Sequence, residues 1–338
     1  MTNLNAVFDS FGSVRSPTYV IAEIGINHEG SADICAQMIR EAAKSGADAI
    51  KLQTVDADKA YAIGTLSHKI FRDAALTQSE TANLFDLARK LGLEPFTTSG
   101  DLETLSWVDR LDPVAHKISS GLLSCLPMVD AVFEYGRPVL MSTGMALGDE
   151  VGAALKLANP KNAQVALFQC TSIYPCPSEK LWLSEIHEME GKFNRPCGFS
   201  DHSLGTENAM LAVAAGARLI EKHFSLDPSR ASFDHHISLS PEDFAGMVDN
   251  IRKADIALGF GQKCDDADVR EAFNKFQRRL AAARDLPENV PLQPSDLLYL
   301  RFNPDSNAIA AQYADSILGR SLLKSVSEGE AITMENLR

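Results

Sequence analysis

Gly198-Phe199-Ser200-Asp201-His202 and, sixteen residues further on, Leu219-Ile220-Glu221-Lys222-His223 are short apolar runs closed by polar and ionisable residues. The same device recurs upstream in Ile21-Ala22-Glu23, Ile50-Lys51-Leu52-Gln53, Pro95-Phe96-Thr97-Thr98, Ala115-His116-Lys117, Val139-Leu140-Met141-Ser142 and Ala166-Leu167-Phe168-Gln169. Eight such runs, separated mostly by stretches of helical spacing, are the pattern of an α/β fold of the (β/α)8 TIM-barrel type. In that fold the active site collects side chains from the C-terminal ends of the strands, which makes the chain an enzyme candidate. A doubly wound sheet is the competing solution, but no GxGxxG follows the first run, where Gly25 leads into Ile26-Asn27-His28.

Working outward, the apolar stripe Ile34, Met38, Ile39 and Ala42 predicts a helix from Ser31 to Lys44, ended by Gly46. A second unit follows at Gln78 to Leu91, with Gly92 at its end. Further helices are expected at Leu102 to Arg110, Met128 to Tyr135, Glu150 to Ala158, Trp182 to Met189, Glu207 to Ala215 and Pro241 to Leu258. The barrel is therefore placed in residues 1–261. Residues 262–280 carry nine charged side chains and read as a solvated helical linker. The last 58 residues, 281–338, are broken by Pro287, Pro291, Pro294 and Pro304, as in a small loop-rich domain. A domain that small gains stability by covering a barrel mouth, and exchange across a two-fold dimer would let each cap complete its partner's site.

Composition narrows the chemistry. A formal net charge of -13 over 338 residues argues against nucleic acid as a partner, since phosphate binding needs an excess of Lys and Arg. No apolar run approaches the roughly 20 residues of a membrane span, and no secretory leader is evident, so a cytoplasmic enzyme is expected. The six cysteines include no CxxC pair, which leaves free thiols as the expectation.

His202 and His223 close adjacent strands, with Glu23 on the strand that would complete the barrel beside them. Two imidazoles and a carboxylate suit a divalent metal, and ligand type alone leaves manganese, iron, cobalt and zinc open. His235-His236 fits such a role poorly, because neighbours on a strand point to opposite faces. Lys51 and Lys117 also sit at strand ends, where a buried ammonium needs an anion. Thr98, Ser120, Ser142 and Ser200 would surround that anion with hydroxyls, and the turns Ser119-Ser120-Gly121 and Ser142-Thr143-Gly144 with N–H groups. Lysines and hydroxyls together outline a phosphate or phosphoenol site.

These residues fall in motifs that resemble the sialic acid synthase family. Ile21-Ala22-Glu23-Ile24-Gly25-Ile26-Asn27-His28, Lys51-Leu52-Gln53-Thr54, Lys117-Ile118-Ser119-Ser120, Ser142-Thr143-Gly144-Met145, Cys170-Thr171-Ser172-Ile173-Tyr174-Pro175, Ser200-Asp201-His202-Ser203 and Glu221-Lys222-His223-Phe224 occur in the family's order. The resemblance implies condensation of phosphoenolpyruvate with an open-chain N-acylated amino sugar. It also implies a manganese cofactor, with magnesium or cobalt as alternatives, and a C-terminal antifreeze-like (SAF) domain in a homodimer. By position, His202 and His223 match the metal ligands, and Glu23 matches the acid beside metal and acceptor. Lys51, Thr98, Lys117, Ser120, Ser142 and Ser200 match phosphoenolpyruvate contacts, while Gln53, Tyr174 and Asp234 match positions facing the sugar. Arg301 is the equivalent of an arginine that the SAF domain inserts into its partner's barrel. The chain departs from the family pattern at Thr97-Thr98-Ser99-Gly100, at Ser172 where asparagine is common, at Ser119 and at Gln169. These departures leave the acceptor open between N-acetylmannosamine and a diacetamido hexose, and Phe233-Asp234-His235-His236, which differs from the Pro-rich segment of neuraminate-making members, suggests a different acylamino sugar. A synthase for a phosphorylated sugar is the alternative on the same barrel, and a non-catalytic carbohydrate-binding protein the alternative outside enzymes.

Overall fold

The computed structural model describes residues 2–13, 15–146, 149–259, 263 and 266–338. Eight parallel strands close into a barrel in sequence order: β1 (Tyr19–Gly25), β2 (Ala49–Thr54), β3 (Glu94–Ser99), β4 (His116–Ile118), β5 (Val139–Ser142), β6 (Val165–Gln169), β7 (Cys197–Asp201) and β8 (Leu219–His223). All eight expected runs are strands, and the TIM barrel is the fold. The chain divides into two compact units, residues 1–260 and 261–338.

Side chains alternate along each strand, so one set faces the barrel axis and the other the surrounding helices. The axial set is apolar at the N-terminal end, where Tyr19, Ile21, Ala49, Phe96, Ala115, Leu140, Ala166, Phe168 and Leu219 form one fully buried cluster. Two residues further along the same rows stand Glu23, Lys51, Thr98, Lys117, Ser142 and Glu221. The strands therefore build a packed plug that ends in a polar floor. A short N-terminal helix, α1 (Leu4–Asp9), adds Leu4 and Val7 to the plug. Fully burying a leucine or valine contributes about 1.5–3 kcal/mol. Gly198 keeps the packing of the plug close: a Cβ there would stand 2.6 Å from the Leu219 carbonyl oxygen.

The outward set, including Val20, Ala22, Ile24, Ile50 and Leu52, packs on helices α2 (Ala32–Lys44), α5 (Gln78–Lys90), α6 (Leu102–Asp109), α7 (Leu126–Phe133), α8 (Glu150–Ala158), α9 (Glu185–Phe193), α10 (Glu207–Ala214) and α11 (Pro241–Leu258). Two of these differ from the sequence reading. Helix α9 begins at Glu185 rather than Trp182, which sits at φ 43°, outside helical geometry. Helix α7 begins two residues earlier than expected, because Pro127 fits the first turn, where a missing N–H has no cost. Sequence periodicity also missed α3 (Ala57–Ala60) and α4 (Leu66–Asp73) in the loop after β2: α3 has only four residues, and α4, though as long as α6, buries only His68 and so has no fully buried apolar stripe.

The second unit has its own core, built on Leu280, Leu286, Leu297, Ile309, Leu322 and Ile332. It contains α12 (Ala267–Phe276), the antiparallel pair β9 (Arg279–Ala282) and β10 (Leu297–Leu300), and α13 (Ala314–Ile317). Helix α12 falls in the segment read as a linker and has no buried residue. The boundary at residues 261–262, with Cys264 and Asp265, lies outside the described residues. Among the described residues no helix is long and apolar enough to cross a membrane.

Candidate active site

The polar ends of the strands open into a cavity of about 680 Å³ at the C-terminal face of the barrel. Glu23, Lys51, Gln53, Thr98, Lys117, Ser120, Ser142, Ser172, Tyr174, Ser200, His202 and His223 all line it. Strand register brings them together: Glu23 pairs with Lys51 on one side and His223 on the other, Thr98 with Lys117, and Ser200 with Glu221. Asp234 lies beside this group, its Oδ2 3.8 Å from His223 Nδ1. Arg301 belongs to the second unit, where its guanidinium lies 5.2 Å from the centre of the Phe276 ring.

The lysines do not stand free for an incoming anion, as the sequence reading expected. Glu221 holds both: its Oε2 accepts from Lys117 Nζ at 2.7 Å and its Oε1 from Lys51 Nζ at 3.1 Å and Ser200 Oγ at 3.0 Å. Lys51 also lies 3.3 Å from Glu23 Oε1, to which Gln53 Nε2 donates at 2.8 Å. Two ammoniums and two carboxylates thus make a floor of balanced formal charge. Glu221 was missed because its run was read at the terminal His223, although the period of two puts both on the same face.

Burial governs the proton equilibria here. It pushes the Glu221 carboxyl up, but the two lysines outweigh it and hold the group below the usual carboxylate range. Burial raises Glu23 to about 7, with Lys51 opposing and Glu221 reinforcing the shift. Burial likewise lowers Lys117, against the pull of Glu221, whereas at Lys51 the two carboxylates overcome burial and raise it.

The hydroxyls are arranged around the same floor. Ser120 Oγ accepts the Gly144 N–H at 2.9 Å, so that N–H is already spent within the protein. The two chain segments meet closely, since a Cβ on Gly144 would lie 2.6 Å from Cys170 Sγ and 3.0 Å from Ser120 Oγ. Thr98 Oγ1 is buried without a partner and is free for a ligand. Gln169, by contrast, donates to the Leu181 carbonyl at 2.9 Å and serves the loop after β6.

His202 and His223 face one another with ring centres 5.6 Å apart. His202 Nδ1 donates to the Thr171 carbonyl at 2.8 Å, which leaves Nε2 as the nitrogen with a lone pair, near the Tyr174 hydroxyl at 3.2 Å. Burial lowers both imidazoles, and at His223 the neighbouring His202 and Lys51 lower it further, so both favour the neutral, ligating form. His223 Nδ1 and Glu23 Oε2 are buried polar atoms with no hydrogen-bond partner, and an imidazole nitrogen left in that state suits a metal ion shared with His202. Among the described residues no three His, Cys, Asp or Glu side chains form a closed ligand set. Such an ion would keep open positions, as catalytic rather than structural sites do.

A model of the NeuB family matches residues 38–263, more than half of the chain. The chain belongs to the NeuB family. It is an enzyme of the N-acetylneuraminate synthase type, and the metal dependence general among NeuB synthases agrees with the imidazole pair. It is 32% identical to the pseudaminic acid synthase of Campylobacter jejuni strain 81-176, over 95% of this chain and 96% of that protein. It is 29% identical to the N,N'-diacetyllegionaminic acid synthase of Legionella pneumophila, over 94% of each. Among solved structures, the N-acetylneuraminic acid synthetase of Leptospira borgpetersenii in complex with citrate superposes with a TM-score of 0.73 at 30% identity. That match covers 76% of this chain and 90% of the Leptospira chain. These relatives make the NeuB chain similar to nonulosonic acid synthases as a group.

Proposed function

We propose that this NeuB enzyme condenses phosphoenolpyruvate with an open-chain, unphosphorylated N-acylated amino sugar and releases phosphate. The observation that carries the proposal is the single cavity in which the Lys51–Glu221–Lys117 bridge lies beside the His202–His223 pair. The lysines suit the carboxylate and phosphate of phosphoenolpyruvate, with hydroxyl donors at Thr98, Ser142 and Ser200. Lys51 and Lys117 are the only lysine or arginine residues among the described groups lining this cavity, and both are needed for phosphoenolpyruvate in this reading. Val55, Tyr61, Phe71, Leu122 and Met145 supply the apolar part of the wall, which suits acyl methyl groups. Gln53, Ser172, Tyr174 and Asp234 face the sugar in this reading, and a diacetamido hexose is the favoured acceptor, with N-acetylmannosamine as the alternative.

His202 and His223 would hold the divalent ion, manganese by preference and magnesium or cobalt otherwise, which supplies Lewis acidity to a carbonyl oxygen. C3 of phosphoenolpyruvate attacks the acceptor aldehyde, and water then adds at the electron-deficient C2. Glu23, whose Oε2 is unpartnered, takes one proton of that water and returns it to the former aldehyde oxygen, which the attack leaves as an alkoxide, while the second water proton leaves with phosphate as C2 becomes the ketone. The tetrahedral centre loses phosphate by cleavage of its C2–O bond, and Lys51 and Lys117 hold the departing charge. Residues 281–338 form an SAF-like domain in this reading, exchanged within a homodimer so that Arg301 of each chain reaches its partner's site.

The test is phosphate release from phosphoenolpyruvate with manganese, with and without chelator, across N-acetylmannosamine, diacetamido hexoses and phosphorylated sugars. Release with one unphosphorylated acylamino sugar, abolished by chelator, is the expected result. Release only with a sugar phosphate, or with none of the panel, refutes the reading.

A further inference from the structure

A second hydrogen-bonded cluster lies outside the groups used above and joins the loop after β1 to the loop after β8, which carries Asp234. Glu29 accepts from three side chains of the second loop: Arg230 Nη2 at 2.6 Å, His235 Nε2 at 2.9 Å and Ser232 Oγ at 3.2 Å. The other nitrogen of His235, Nδ1, lies in hydrogen-bond contact with Ser225 Oγ at 2.6 Å and accepts from it when the ring is neutral. Ser225 is fully buried, so this Ser–His–Glu chain offers no nucleophile to a substrate and acts as a strut.

Asn27, only 1% exposed, closes the same loop at its base. Its Oδ1 accepts the Asp234 backbone N–H at 3.0 Å, and its Nδ2 donates to the Phe224 carbonyl and to Ser238 Oγ, both at 3.0 Å. Ser238 Oγ in turn donates to the Asp234 carbonyl at 2.6 Å. Both backbone groups of Asp234 are therefore held, while its carboxylate stays near His223. The junction is also strained: Glu29 at φ 53° and Phe233 at φ 54° occupy the left-handed region, which such residues keep only when their surroundings impose it.

We propose that Glu29, through His235 and together with Asn27, is the positioning residue that sets Asp234 against the acceptor sugar. The loop after β1 then fixes acceptor affinity without touching the acceptor. This inference rests on the acceptor role given to Asp234 under the proposed function.

The experiment uses the full chain as wild type, Glu29→Gln, Asp234→Ala and the double variant. Phosphate release is measured with phosphoenolpyruvate and acceptor varied separately, and hydrogen exchange is followed in peptides covering residues 225–238. Glu29→Gln is expected to raise the acceptor KM about tenfold, as for loss of one charge-assisted hydrogen bond, and to speed exchange in 225–238. The phosphoenolpyruvate KM should stay within about twofold, and in the Asp234→Ala background Glu29→Gln should add less than about twofold. Equal rises in both KM values, or independent effects in the double variant, overturn the proposal. If Glu29→Gln does not fold, Arg230→Ala, which removes one of the three donors from a partly exposed position, carries the same comparison with a smaller shift. If wild type turns over no acylamino sugar, the functional reading fails by itself. The exchange measurement still decides the strut, and unchanged protection in 225–238 refutes it.

Discussion

Replacing Glu221 by glutamine removes the charge that joins Lys51 to Lys117 and leaves both ammoniums buried with Glu23 alone. Breaking a buried pair by deleting one partner typically costs about 3–5 kcal/mol. An independent bound agrees. If one lysine instead loses its proton at pH 7, the cost measured from its ordinary value of 10.5 is about 5 kcal/mol. The glutamine oxygen still accepts from one lysine, which favours the lower end, about 3 kcal/mol. For a barrel unit of this size each kcal/mol lowers the melting temperature by just under about 2 °C, so a fall of about 5 °C is expected. An anion that replaces the lost carboxylate should recover much of it. Differential scanning calorimetry of wild type and variant, each with and without millimolar inorganic phosphate or phosphoenolpyruvate, makes the comparison. The variant should gain several degrees more from either anion than wild type does. A variant that melts within about 2 °C of wild type, or an equal anion effect on both, would show that the lysines do not depend on Glu221.

Three other outcomes follow from the same geometry. His202→Ala should lose manganese binding, read by electron paramagnetic resonance of the free ion, along with chelator-sensitive phosphate release; retained binding would remove His202 from the ligand set. Gly144→Ala places a methyl 2.6 Å from Cys170 Sγ and should raise the phosphoenolpyruvate KM at least about tenfold with less effect on the acceptor KM, because Ser120 must shift. Phosphoenolpyruvate labelled with oxygen-18 in its bridging position should deliver the label to inorganic phosphate, and label found in the sugar acid by mass spectrometry would refute cleavage of the C2–O bond.

The strand-borne half of this site was legible in the sequence because a parallel barrel imposes two simple rules. Alternation sends every second residue to the axis, and the active end is the C-terminal end, so an ionisable residue that closes an apolar run has few other places to go. Glu23, Lys51, Lys117, Ser200, His202 and His223 were found in this way. What pairs with what was not legible, since Glu221 on β8 bonds side chains on β2 and β4 that lie 170 and 104 positions away in the sequence. The contribution of Glu221 therefore depended on closure, which no local spacing encodes. The inserted helices α3 and α4 were hidden for a different reason: α3 has only four residues, and α4 buries only His68, so neither presents a buried apolar stripe.

The same division separates the chemistry of the cavity from its selectivity. Lysine–carboxylate contacts of 2.7–3.3 Å rest on paired barrel strands, so this floor, which the proposed function assigns to phosphoenolpyruvate, is preorganised before any ligand arrives. Because these pairs are buried, salt screens them little, and ionic strength should act weakly on their geometry. Asp234, Tyr174 and Ser172 sit on loops instead, where a few side-chain bonds decide position and where sequence can change without disturbing the core. The loop carrying Asp234 meets this difficulty by bonding to the loop after β1, whose own start is fixed by strand β1 and Glu23. Under the proposed function, a barrel that keeps its floor and re-ties this junction exchanges one acylamino sugar for another while retaining the carbon–carbon bond-forming step.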